Sequence, residues 1–301
     1  MIRLAVSGEE ASDRDVATRL RAATIESCFD ASRMTVPPAA SDAVLFVKSC
    51  PLQAELIERC LSSGKHVLLA AESWLSSDLL ERLSVAARQA GVQLAVVNPA
   101  RFLPSRQLIR QQLDAGKLGE PGLVRVHRWE PATAANDRPS LGLPTPLMRD
   151  LELAVWLIGR PPNLVYAVEH VASDRDPATG RFVQVHLGFH GGGMALVDYA
   201  DRLLPGDGYQ SLSVIGSAGA AYADDHQNMQ LVYRGGRPQA VRADERSQSL
   251  AALMQDFVDG LSDSRDFSVS VAVWRSVLTV ADAVQGSLAS RQAIVVEREG
   301  R

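Results

Sequence analysis

Along the first third of the chain, short apolar runs alternate with longer stretches in which apolar residues recur at helical spacing. Residues 2–7 read as a strand and 13–23 as a helix; 25–29 is a weak strand signal and 43–47 a clear one. A helix over 52–63 leads into residues 66–70, an apolar run too short for a helix and suited to a buried parallel strand. Gly64 stands where a helix C-terminus favours glycine. A helix over 76–90 that ends at Gly91, a strand over 93–97 and a helix over 104–115 complete the series. Such alternation predicts an α/β domain, a Rossmann-like doubly wound parallel sheet with right-handed crossovers and helices on both faces.

The glycines and proline of residues 116–122 break this pattern and divide the chain into a dinucleotide-binding-type domain over 1–120 and a second domain over 121–301. Residues 123–129 alternate as a strand, and 133–145 form a loop rich in Pro, Ser and Gly. Thr145 and Pro146 look like the N-cap and first position of a helix that runs to residue 158. Leu147, Leu151, Ala154, Val155 and Ile158 form its core stripe. Strand signals follow at 164–171, 182–189, 193–199, 211–215 and 230–233, then helices at 247–261 and 269–287, then a closing strand at 293–297. Strands joined by short loops predict an α+β domain with a large mixed or antiparallel open sheet. One face of that sheet needs cover, so a homo- or hetero-oligomer formed through it is expected.

Composition narrows the partners. The net charge of −4 and the absence of a long basic run argue against nucleic acid or an anionic membrane. Cys28, Cys50 and Cys60 are odd in number and lack metal-ligand spacing, so three buried thiols in a reducing compartment are expected. No apolar stretch approaches the ~18 residues of a membrane helix, and no leader pattern opens the chain, which predicts a cytoplasmic protein. Lysine is scarce: Lys48, Lys65 and Lys117 are the only three.

Gly64-Lys65-His66-Val67, with Arg101-Phe102-Leu103-Pro104 and Gly116-Lys117-Leu118-Gly119, resembles the Gfo/Idh/MocA family of NAD(P)-dependent sugar and inositol dehydrogenases. The resemblance implies NAD or NADP as cofactor, a sugar-like small molecule as ligand, and a catalytic lysine in a Glu-Lys-Pro motif. Ala70, Ala71 and Glu72 occupy that motif here. The resemblance also implies a catalytic Asp and His four residues apart, matched by Thr145 and Arg149. Ala71 and Thr145 thus replace expected catalytic residues, and an arginine cannot serve as a base at neutral pH.

The first strand-to-helix turn is equally altered. A dinucleotide fingerprint needs Gly-x-Gly-x-x-Gly so that backbone can approach the pyrophosphate. Residues 8–13 retain only Gly8, and Glu9, Glu10 and Asp13 bring negative charge to where phosphates would sit. Like charges at ~5 Å in a partly dry site cost on the order of a few kcal/mol. Asp30, 22 residues after Gly8, is placed either to bind a ribose or to shape its own turn.

Substitutes can be named. Lys48 follows a strand on the crevice side, and reads either as a replacement base or as a surface lysine. Arg149, with Asp150 beside it, could bind an acidic or polyhydroxy ligand or form a structural ion pair. Arg101, His127, Trp129 and Arg149 are the expected lining of a ligand cleft, while His170, His186 and His190 show no metal-like clustering. The residues therefore predict a non-catalytic (pseudoenzyme) subunit or ligand-binding protein associated with sugar or polyol oxidoreduction. The alternative is an active NAD(P)-dependent oxidoreductase using substitute residues on a CH–OH group.

Overall fold

The structure is a computed structural model, which describes residues 1–7, 14–34, 36–47, 53–131, 142–171, 181–203, 208–224, 229–233, 239–242 and 246–296. Its strands are β1 (Ile2–Ser7), β2 (Ala23–Phe29), β3 (Ala43–Phe46), β4 (His66–Ala70), β5 (Leu94–Val97), β6 (Pro121–Pro131), β7 (Pro162–Val171), β8 (Arg181–Phe189), β9 (Met194–Leu203), β10 (Tyr209–Gly216), β11 (Ala220–Asp224), β12 (Met229–Tyr233), β13 (Gln239–Arg242) and β14 (Ile294–Val295). The helices are α1 (Arg14–Arg19), α2 (Ala54–Ser62), α3 (Ser77–Ala90), α4 (Pro104–Asp114), α5 (Thr145–Ile158), α6 (Arg246–Ser262) and α7 (Ser268–Ser290). They form two compact units, Met1–Leu103 with Glu245–Arg275, and Pro104–Asp244 with Ser276–Arg301. The chain thus leaves the first unit at Leu103, earlier than the glycine-rich break suggests, and returns to it late. No local signal at residues 245–275 announces that return.

In the first unit, five parallel strands lie in the order β2-β1-β3-β4-β5. Their near-continuous apolar sequences fit a sheet covered on both faces. Leu4, Val6, Leu45, Leu68 and Ala95 pack with Met254, Phe257 and Val258 of α6 and with Phe267. Helices α2 and α3 pack on each other and on β4 and β5. Ser76 caps α3 by accepting the Leu79 N–H, and Gly91 closes it at φ 67°. The helix expected over 13–23 ends at Arg19 instead, because Ala22 takes a left-handed φ of 58° and β2 starts at Ala23. The edge position of β2 leaves Cys28 exposed, contrary to the expected buried thiol. Cys60 is buried, its thiol pushed up to about 11 by burial against the opposing charge of Lys65; Cys50 lies outside the described residues.

Two residues of the Gly64-Lys65-His66 stretch hold β4 in place. Lys65 is 9% exposed and donates from Nζ to the Ser41 carbonyl at 2.7 Å. His66 Nδ1 accepts the Gln93 N–H at 3.0 Å, which requires an unprotonated nitrogen.

In the second unit, nine strands run β13-β12-β11-β10-β6-β9-β8-β7-β14. The pair β6–β9 is parallel and the other pairs are antiparallel. Gly119 is required at the entry to β6. Its φ is 69°, and a Cβ there would come within 2.8 Å of the Ala218 nitrogen. Strict alternation buries Val124, Val126, Val185, Leu187 and Val197 on one face, against which α5 packs on β6 and β9. On α7, Ser287 Oγ accepts the Ala167 N–H at 2.9 Å and donates to the Gln292 carbonyl at 2.6 Å. The opposite face of the sheet is open. Thr145 is the first residue of α5 rather than its cap; Pro144 takes the cap position with extended backbone and no capping side chain.

Burial lowers the His66 pKa from its ordinary value, with Asp42 opposing. A histidine held neutral in the fold contributes stability that is full above its unfolded pKa of about 6.5 and is lost as pH falls towards the lower folded value. Denaturant titrations at pH 7 and pH 5 should show stability falling on acidification, with a smaller fall in His66→Asn, whose amide oxygen can accept the same N–H.

Candidate functional site

Strand β1 lies between β2 and β3, so the winding of the first sheet reverses there. Ligands of open α/β sheets bind beyond the carboxyl ends of the strands at such a point. Ser7 ends β1 there, 1% exposed, and its Oγ has no hydrogen-bond partner among the described residues. Gly8 to Asp13 and Lys48 lie outside the described residues. At the end of β2, Asp30 Oδ1 accepts from the Ser32 N–H at 3.0 Å and from Ser32 Oγ at 2.6 Å, while Arg33 Nε stands 3.3 Å from Oδ2. Of the two readings of Asp30, the structure shows the turn.

The position matched to the catalytic lysine is closed. Ala71 is 1% exposed, and its N–H donates to the Val97 carbonyl at 2.8 Å. Just beyond it come Glu72 and Ser73, both buried. Asn98 is buried after β5 and accepts the Ala100 N–H on Oδ1 at 3.0 Å. Sequence reasoning named none of Ser7, Glu72, Ser73 and Asn98 as a candidate site residue. A signal existed, since each is a polar residue at or just beyond the end of an apolar strand. Arg101 lies in the 3-10 turn Pro99–Phe102 of the same unit, half-buried.

In the second unit, Asp150 on α5 is fully buried and held by Arg128 of β6 through Nε–Oδ2 at 2.5 Å and Nη2–Oδ1 at 2.7 Å. Arg128 also donates from Nη1 to Glu130 at 2.9 Å, and Gln210 approaches Asp150 at 3.4 Å. Burial works against the Arg128 charge, but Asp150 and then Glu130 outweigh it and hold the guanidinium above its ordinary pKa. Burial, with Asp201 and Glu130, raises the Tyr199 hydroxyl in the same way. Asp150 is therefore the seat of α5 on the sheet rather than a ligand-binding carboxylate. Arg149, its neighbour, is half-buried and has interactions of its own.

His127 and Trp129 alternate with Arg128 along β6, so they project from the face opposite α5. His127 Nδ1 lies 2.8 Å from Asp198 Oδ2, Gln184 Nε2 donates to Asp198 Oδ1 at 2.6 Å, and Trp129 packs on Tyr209 with centroids 4.9 Å apart. Burial pushes the His127 imidazole down, with Asp198 opposing. The expected grouping of His127 and Trp129 with Arg149 does not form, because the pleat sends them to opposite sides of the sheet. Among the described residues no cluster of His, Cys, Asp or Glu could hold a metal ion.

The five-stranded parallel sheet with its switch point at β1 and the large mixed sheet backed by helices have a fold of the Gfo/Idh/MocA type. The comparisons agree. The chain is 24% identical over 268 residues to the myo-inositol 2-dehydrogenase of Thermotoga maritima, covering 85% of this chain and 80% of that one. It is 24% identical to the inositol 2-dehydrogenase of Rhizobium meliloti over 85% of this chain and 81% of that one. The scyllo-inositol dehydrogenase structure from Lactobacillus casei superposes with a TM-score of 0.72 at 19% identity, over 98% of both chains. An oxidoreductase from Agrobacterium radiobacter in complex with NAD+, L-tartaric acid and magnesium gives 0.76 at 14% identity, again over 98% of both. At these identities the structures establish the fold. No family model matches the chain. No helix among the described residues is long and apolar enough to cross a membrane.

Removing one partner of a buried ion pair strands the other charge, at a cost of about 3–5 kcal/mol. Arg128→Met should destabilise the second unit by that order in urea unfolding. The double variant Arg128→Met with Asp150→Leu should recover most of the loss, since two apolar residues leave no buried charge unpaired.

Proposed function

We propose that this protein is an NAD(P)-dependent oxidoreductase of the sugar and inositol class, acting on a CH–OH group with residues other than the expected lysine, aspartate and histidine. The observation that carries this reading is the similarity to two inositol 2-dehydrogenases along 85% of the chain. The switch point at β1 supports it, because the buried Ser7 Oγ there retains hydrogen-bonding capacity among the described residues. Ser7 and Gly8 would hold a nicotinamide dinucleotide, which when bound supplies the hydride acceptor.

Oxidising an alcohol also requires a group that takes the hydroxyl proton. Ala71 has none to offer. Glu72, one residue further, is a buried carboxylate at the same strand end, and the proton-accepting role is assigned to it here. A second reading, a non-catalytic subunit or ligand-binding protein, is favoured by the closed Ala71 position and by Glu9, Glu10 and Asp13 in the turn sequence.

Titration with NADH and NADPH, followed by NAD+ and NADP+ reduction assays over myo-inositol and a panel of sugars and polyols, separates the two. Expected are micromolar binding of one dinucleotide and polyol-dependent turnover. Glu72→Gln should lower that turnover by about 10²–10⁴-fold while leaving dinucleotide affinity and melting temperature near wild type. Failure of both dinucleotides to bind would overturn the catalytic reading in favour of the second.

A further inference from the structure

Three neighbouring strands of the first sheet, β1, β3 and β4, are each followed at the carboxyl edge by a buried polar atom that has no hydrogen-bond partner among the described residues. The atoms are Ser7 Oγ, Gln53 Oε1 and Trp74 Nε1. Helix α2 carries the chain from β3 back to the start of β4, so its first residues lie at that edge. Gln53 stands there at the N-cap, 2% exposed, yet its side chain makes no capping bond. Trp74 is half-buried in the turn after β4, whose backbone is already satisfied: the Leu75 N–H donates to the Glu72 carbonyl at 3.2 Å and the Ser76 N–H to the Trp74 carbonyl at 3.0 Å. The polar atoms of these two side chains thus do nothing for the local structure. Folding ordinarily pairs such atoms, because a buried donor or acceptor left alone destabilises the fold that keeps it. Three of them at one edge of one sheet point to a ligand that completes the bonds.

A dinucleotide that straddles the switch point at β1 places its adenosine on the β1–β2 half of the sheet and its nicotinamide on the β3–β4 half. Ser7 ends the dividing strand. Gln53 and Trp74 both belong to the nicotinamide half. Their chemistry is complementary to one group of that ring: the amide oxygen of glutamine only accepts, the indole N–H only donates, and a primary carboxamide offers an N–H and a carbonyl oxygen in one plane. Neither side chain is charged, which suits neither of them to a phosphate. On the oxidoreductase reading, on which this step rests, we infer that Gln53 accepts from the N–H of the nicotinamide carboxamide and Trp74 donates to its carbonyl oxygen. Two bonds of opposite sense distinguish the two ends of the carboxamide and so fix the orientation of the ring. The turn that carries Trp74 also carries Glu72, which ties that orientation to the proton acceptor. Gln53 and Trp74 are cofactor-binding residues and take no part in proton transfer.

Equilibrium titration of the full chain with NADH and NADPH, and with their 3-acetylpyridine analogues, in which a methyl group replaces the amide nitrogen, tests the assignment. Whichever natural dinucleotide binds, Gln53→Met and Trp74→Phe should each weaken it about 5–10-fold, the worth of one net hydrogen bond. Gln53→Met should bind the analogue as tightly as the wild type does, since the analogue has no N–H to give. Trp74→Phe should weaken the analogue as well, because the carbonyl oxygen is still there. The melting temperature of ligand-free Gln53→Met should hold or rise, as an unpartnered buried oxygen is removed; a fall would mark a structural residue and overturn the role given to it. Binding of a natural dinucleotide that neither variant weakens would overturn the inference and leave the oxidoreductase reading standing. So would an equal loss of dinucleotide and analogue in Gln53→Met. A wild type that binds none of the four would overturn both.

Discussion

The second unit depends on how α5 is seated, and two charges do the seating. Arg128 and Asp150 meet as a planar pair of hydrogen bonds, with Asp150 fully withdrawn from water. Apolar contact between a helix and a sheet is tolerant of small shifts, whereas a bidentate guanidinium–carboxylate pair is directional. The pair therefore fixes the rotation and axial position of α5 on β6, and with them the direction in which Arg149 and Thr145 point. It also sets the pleat of β6. If Arg128 faces the helix, its neighbours His127 and Trp129 must face away, which is how one ion pair decides the residues of the open surface.

The fold was largely legible because burial on both faces leaves a strong mark. β1 and β4 are mostly apolar, and the sequence reading of each matches its bounds to the residue. Reading failed where the mark weakens. At Ala22 a left-handed backbone cuts α1 short, and alanine gives no warning of it. β11 and β13, five and four residues long, lie near the end of the open sheet and lack a sustained apolar alternation. The return of α6 to the first sheet depends on contacts between residues some 250 positions apart, as Leu4 with Phe257, and nothing local encodes them.

The candidate site was legible in a different way. Sequence located the end of β4 at Ala70, but the burial of nearby side chains went unread: Ser7, Glu72 and Asn98 look like ordinary loop residues until the sheet closes around them. Asp150 carried two open readings, and only the partner from β6 decides for the structural one. Lys65 and His66 are instructive for the same reason. They belong to the stretch that resembles dehydrogenases, yet both are bound to neighbouring backbone and serve the strand. Part of such a motif specifies folding and part chemistry, and substitution can strike one part while sparing the other.

The last strand is the smallest. Two residues of β14 pair with Leu164 and Val165, and the Val296 N–H adds a bond to the Asn163 carbonyl, so the outer rim of β7 is covered over its first turns of the pleat. An unprotected rim is a template on which strands of other molecules can add without limit. With that rim covered, strand addition along this stretch of the sheet's edge, the route to the open-ended stacking that leads to fibres, is obstructed.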